Sequence, residues 1–170
     1  VCIGESPDAA DRALGLVRKH PGLVWHTAGV HPHDAASFDA ARDLPRLREH
    51  ARLGAVALGE CGLDYYRERD REGKEKQKEL FLKQIRLAQE FNLPLMLHIR
   101  PEGGLMDAYE EALDILEEYK KSPIKIQVID TPDKLVDKAK QMKNCAASYI
   151  KRVSLGEYVA FSVFDNNTQR

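Results

Sequence analysis

Residues 57–66, Ala57-Leu58-Gly59-Glu60-Cys61-Gly62-Leu63-Asp64-Tyr65-Tyr66, run ALGECGLDYY: an apolar run meets a carboxylate held between two glycines, with a second carboxylate and two aromatic rings close behind. The apolar part reads as the end of a buried strand, Ala55 to Glu60. A strand that finishes in a carboxylate poses the question of what that carboxylate does there.

Five further runs rich in Val, Ile, Leu and Ala have the same character: Val1 to Gly4, Leu23 to Val30, Pro94 to Ile99, Ile124 to Ile129 and Tyr158 to Val163. Helical patterns lie between them. Ser6-Pro7 is an N-cap followed by proline at the first helical position, and the helix it opens carries Leu14 and Val17 on one face until His20-Pro21-Gly22 stops it. Phe81, Ile85 and Ala88 recur at helical spacing from about Lys74 to Phe91, with Asn92 as the C-terminal stop. Met106 to Lys121 turns Ala112, Ile115, Leu116 and Tyr119 inward, and Thr131-Pro132 opens another helix. Strands that are apolar throughout and alternate with helices predict an α/β fold with parallel strands covered by crossover helices. No glycine-rich dinucleotide turn or Walker sequence follows any strand, and no linker or repeat divides residues 1–170, so a single domain is expected.

Composition narrows the function. With 43% hydrophobic and 31% charged residues the chain is of ordinary globular make-up, and no apolar run approaches the roughly 20 residues of a membrane span. A cytoplasmic location without membrane partners is the expectation. Cys2, Cys61 and Cys145 are odd in number and far apart, which suggests neither a disulfide framework nor a zinc knuckle. A net charge of -1 supplies no global field for duplex DNA, so a polyanion would have to be held locally, as a strand end or a small phosphorylated group.

The polar residues gather at the C-terminal ends of the strands. His31 and His33 follow the second strand, Glu60 closes the third, His98 and Arg100 the fourth and Asp130 the fifth, and Asp165 follows the sixth. In a β/α barrel that end is the mouth, where catalytic residues converge. Glu60 and His98 are the sharpest pair, of the types that bind zinc, manganese or magnesium. The other reading pairs Glu60 with Arg67 or Arg100 and makes His98 a core histidine bonded to backbone. Arg100 offers a planar fork for a phosphate, or is a solvated loop arginine. The GVHPHD turn at 29–34 could equally be a turn with Asp34 as a helix cap. Asp64, Tyr65 and Tyr66 either line the site or pack the loop.

GVHPH, ALGECGLDYY and NLPLMLHIR, in this order and spacing, resemble the TatD-type metal-dependent hydrolases, deoxyribonucleases on a TIM barrel. The likeness is specific to about residue 121 and looser beyond, where TPDKL and LGEYVAFS still fall in place. It implies a partial (β/α)8 barrel of about six strands, the first and last missing. It implies Glu60 and His98 as catalytic metal ligands and divalent ions (Mg, Mn or Zn), two per complete site, that activate water against a phosphodiester bond. Glu60 would bridge the two ions. His31, Arg100, Asp64 and Tyr65 are expected on the substrate side, with single-stranded DNA or strand ends as partner.

The chain departs from that pattern. The family's opening His-x-His strand is not in it, Ile126 stands where a histidine is expected, and the late aspartate is missing, so that Glu60 and His98 remain of the implied ligands. Such a chain would be a piece of a longer protein with impaired activity, a sheet that closes its open edges by self-association, or a non-catalytic remnant. A metallohydrolase of small amides, lactones or phosphoesters is the alternative enzyme.

Overall fold

A computed structural model describes residues 1–103, 105–118 and 161–162. Parallel pairing crosses it strand by strand. The Cys2 amide donates to the Trp25 carbonyl at 2.7 Å and the Thr27 amide to the Cys2 carbonyl at 3.0 Å. The Ala28 amide donates to Ala57 at 3.2 Å and Gly59 returns a bond to Ala28 at 2.9 Å. Strand β1 (Leu58–Asp64) then pairs with β2 (Leu95–Arg100), and β2 with β3 (Phe161–Ser162), all parallel. This is the α/β arrangement expected. The strand at Ile124 to Ile129, the helix at Thr131, Asp130 and Asp165 lie outside the described residues. Among the described residues no helix is long and apolar enough to cross a membrane.

The helix ends follow their capping residues. Helix α1 (Pro7–Lys19) starts where the Ser6 hydroxyl accepts the Ala9 amide at 3.2 Å. Helix α2 (Ala40–Arg52) has no counterpart in the expected elements. Asp39 caps it by accepting the amides of Ala41 and Arg42, while Asp43 accepts the Asp39 amide at 3.0 Å. Helix α3 (Arg71–Phe91) begins three residues ahead of the expected Lys74, because Asp70 caps it through the Gly73 amide at 2.9 Å. Asn92 ends it in the left-handed conformation at φ 51°, as its side chain permits. Helix α4 (Asp107–Glu118) buries Ala112 and Leu116 and rests Ile115 on the core; Tyr119 lies outside the described residues. The core joins Leu80, Phe81, Ile85 and Ala88 of α3 to Cys61 and Leu63 of β1.

One boundary is corrected. The third strand does not close at Glu60; β1 runs on to Asp64, with Glu60 inside it. Gly59 and Gly62 are the cause. They take φ values of 143° and 137°, and the pairing slips between Leu58 and Cys61 before it resumes with Gly62 opposite His98 and Asp64 opposite Arg100. A Cβ on Gly59 would strike the Met96 carbonyl, and one on Gly62 the His98 carbonyl. The glycines therefore let β1 press against β2 where a Cβ would keep the two backbones apart.

Gly62→Ala should cost about 3 kcal/mol or more, since strain at positive φ and a backbone collision add. Gly15→Ala should stabilise by about 0.5–1 kcal/mol, because Gly15 is inside α1 with open space where its Cβ would be. Urea unfolding of the two variants beside the parent chain measures both.

Candidate active site

Alternation along β1 puts Glu60, Gly62 and Asp64 on one face and Cys61 and Leu63 on the other. His98, opposite Gly62 in register, has its ring between the two carboxylates. Its Nδ1 lies 3.3 Å from Glu60 Oε1 and its Nε2 3.0 Å from Asp64 Oδ2. The same Asp64 oxygen lies 2.7 Å from His33 Nε2. The other, Oδ1, accepts the amides of Tyr66 at 3.1 Å and Arg67 at 3.2 Å.

His31 and His33 are delivered by the turn after the second strand segment. Pro32 opens a single 3-10 turn over Pro32–Asp34, in which His31 Nδ1 accepts the His33 amide at 3.2 Å. The His31 ring centroid is 4.3 Å from those of both His33 and His98. One ring nitrogen from each of the three histidines falls within 4.8 Å of the others, a grouping able to hold a metal ion.

Helix α3 fixes the two strand ends that carry this cluster. Gln84 Oε1 accepts the Val30 amide at 2.8 Å and its Nε2 donates to the Val30 carbonyl at 2.9 Å. Gln77 does the same to Asp64, at 2.7 and 3.1 Å. Both glutamines are buried, and each peptide group they meet is satisfied as if by a neighbouring strand.

The electrostatics follow from the contacts. The hydrogen bond from His98 holds the Glu60 carboxyl below its ordinary range against the opposing effect of burial. Burial pushes the Asp64 carboxyl up, but the bonds from His98 and His33, the charge of His98 and the Arg67 amide outweigh it and hold it low. For His98 burial favours the neutral ring, while Asp64 and Glu60 together raise its pKa. Burial, with the neighbouring His98 and His33, brings His31 down to about 4. His31 is therefore a neutral imidazole, the form that ligates metals, at neutral pH.

Of the residues singled out in the sequence, Glu60, His98 and His31 converge. Arg100 is the next residue of β2 on the same face as His98, its guanidinium carbon 3.7 Å from the centre of the Tyr66 ring. Asp64 belongs to the cluster but lies beneath the imidazoles, with no exposed surface to offer a substrate. Tyr65 is not brought to it. Its side chain alternates away, its hydroxyl donates to Glu111 at 2.5 Å, and Lys74 Nζ lies 4.5 Å from its ring centre. His33 was noted in the turn without a role there; the two-residue interval from Glu60 through Gly62 to Asp64 was the signal that would have connected it.

Known proteins resemble this chain in sequence and in fold. A family model described as TatD related DNase matches residues 1–152. A protein of Erwinia tasmaniensis named 3'-5' ssDNA/RNA exonuclease TatD is 40% identical over 112 residues, which are 65% of this chain and 39% of that protein. The protein of the same name from Escherichia coli K12 is 38% identical over 110 residues, with the same shares. The chain thus spans about two fifths of the length of these curated relatives. Among solved structures, YJJV, a TatD homologue from Escherichia coli K12, superposes with a TM-score of 0.63 at 19% identity, covering 86% of this chain and 51% of that one, a likeness of fold.

Asp64→Asn should destabilise by on the order of 3 kcal/mol, because it takes from the buried His98 ring, and from His33, the carboxylate that both contact. The sign with pH is fixed by the shifts. The depressed carboxyls contribute above their unfolded pKa of about 4, and the raised His98 contributes fully below about 6.5 and loses its share as pH rises through its folded value. Urea midpoints should therefore separate parent from variant most between about pH 4 and 6.5 and approach each other at higher pH. In an NMR titration His31 should stay neutral down to about pH 4.

Proposed function

The chain belongs to the TatD related DNase family, and from that premise we propose that it serves the divalent-metal-dependent hydrolysis of phosphodiester bonds in single-stranded DNA or at strand ends. One observation carries the reading: Glu60 and the imidazoles of His98, His31 and His33 meet beside the C-terminal ends of adjacent parallel strands. The names of the relatives, 3'-5' ssDNA/RNA exonucleases, support single strands as the substrate class.

The donors fit a divalent ion. A carboxylate oxygen and an imidazole nitrogen 3.3 Å apart offer the hard and borderline ligands that magnesium, manganese and zinc accept. His31 adds a neutral nitrogen nearby, and Asp64 on the far nitrogen of His98 would orient that ring, as carboxylates behind ligating histidines do. Glu60 and His98 would hold the ion, with His31 and His33 as further donors. An ion bound there supplies a water acidic enough to attack at neutral pH and offsets charge on the phosphoryl oxygens. Two such ions belong to the full arrangement in this reading, and the donors described would provide part of it. Arg100 contributes a guanidinium fork for a non-bridging phosphate oxygen, and its place beside His98 keeps that phosphate at the mouth.

Manganese or magnesium should release nucleotides from a single-stranded oligonucleotide incubated with the protein, and chelation should stop it. Glu60→Ala should lower manganese affinity in calorimetry by more than about tenfold, since even supporting residues cost about that much. Unchanged affinity in a folded Glu60→Ala protein would overturn the assignment.

A further inference from the structure

We propose that helices α1 and α2 form an acid-operated latch: a proton taken up by His26 frees the two helices from the sheet, while α3 keeps its hold on the mouth. Nothing in this latch depends on nuclease activity. His26 has no exposed surface, and His50 is almost as deeply buried. Neither ring nitrogen of His26 meets a hydrogen-bond partner among the described residues, nor does Nδ1 of His50. The two rings stand edge to face with their centres 5.4 Å apart. Buried polar side chains are nearly always bonded, and burial of an unpaired imidazole favours its neutral form. Burial first, and then charge on His50, holds His26 neutral below its ordinary range.

The groups around the pair leave it no counter-charge. The His26 carbonyl accepts the Val56 amide at 2.9 Å, and that neighbouring stretch, residues 55–57, consists of Ala55, Val56 and Ala57. On the other side Cys2 pairs with His26 in register, so a thiol leaves the same face of the sheet. His50 comes from α2, and its Nε2 is tied to Asp11 Oδ1 of α1 at 2.9 Å. Arg46 of α2 binds the other Asp11 oxygen at 2.6 Å, and Asp8 as well. Asp11 thus turns one oxygen to His50 and the other to Arg46, joining α1 to α2, and His26 has no carboxylate at hand. A proton on His26 therefore puts an uncompensated charge between the helices and the sheet, and water can reach it once they part. The exposed Arg48–Glu90 pair that joins α2 to α3 is a surface contact of little hold. Helix α3 has its own grip, through Gln84 on Val30 and Gln77 on Asp64.

Hydrogen exchange of the intact chain, followed amide by amide and corrected for the intrinsic effect of pH, tests this. Opening lets His26 take its proton at the ordinary value, so the closed layer is fully favoured above about pH 6.5 and loses ground as pH falls from there through the folded value. In that window the opening constant of α1 and α2 should rise by up to about tenfold per pH unit, the slope of one proton. Amides of α3 are the control, because His31, also kept neutral by burial, acts at the mouth that α3 grips. His26→Leu, or His26→Gln should the leucine variant not fold, removes the extra slope from α1 and α2. A folded variant of either kind that keeps the slope overturns the latch. So does a parent chain in which α1, α2 and α3 lose protection together as pH falls, a result that needs no variant.

Discussion

A carboxylate with no access to water organises this end of the molecule. Moving an ionised aspartate out of solvent costs several kcal/mol unless its lone pairs are met, and Asp64 meets them with two imidazoles on one oxygen and two backbone amides on the other. Each partner comes from a different part of the chain: His33 from the turn after the second strand segment, His98 from β2, and the amides from the loop beyond β1. Satisfying one buried charge therefore brings the separated histidines together. The empty place at Gly62 makes this geometrically feasible, because any side chain there would occupy the space of the His98 strand.

Much of this was legible in the sequence, and the failures have physical causes. Ser6-Pro7 and Asn92 marked helix ends because capping is local chemistry, decided by a side chain and the next few amides. The convergence of Glu60 and His98 was legible because adjacent parallel strands place their C-terminal ends side by side. The continuation of β1 to Asp64 was not, since the carboxylate at Glu60 and the glycines around it interrupt the apolar run by which the strand was recognised. That single boundary misdirected two assignments. With the strand ended at Glu60, Asp64 and Tyr65 became loop residues facing a substrate; with the strand continued, alternation turns Asp64 under the histidines and Tyr65 toward Glu111. Helix α2 escaped notice because Pro45 lies within it and its buried set is only Asp43, Leu47 and His50, too sparse for an apolar stripe.

The ligand question changes once the turn at Pro32 is in view. Counting positions by family resemblance left Glu60 and His98 as donors, whereas the folded chain brings His31 and His33 to the same place. Burial next to other imidazoles keeps His31 uncharged, so it can share a small volume with its neighbours without repulsion. The family likeness and the local chemistry are thus separate lines of support that meet at His98.

Helix α3 also works as a gauge. Gln77 and Gln84 are seven residues apart, nearly two full turns, so both amides leave the same side of the helix about 10 Å from one another and grip two different strands. Adding or removing one residue between them would swing one glutamine by roughly 100° while the other kept its hold. Length variation that surface loops absorb is closed to this stretch, and evolution can alter the letters between residues 77 and 84 more freely than their number.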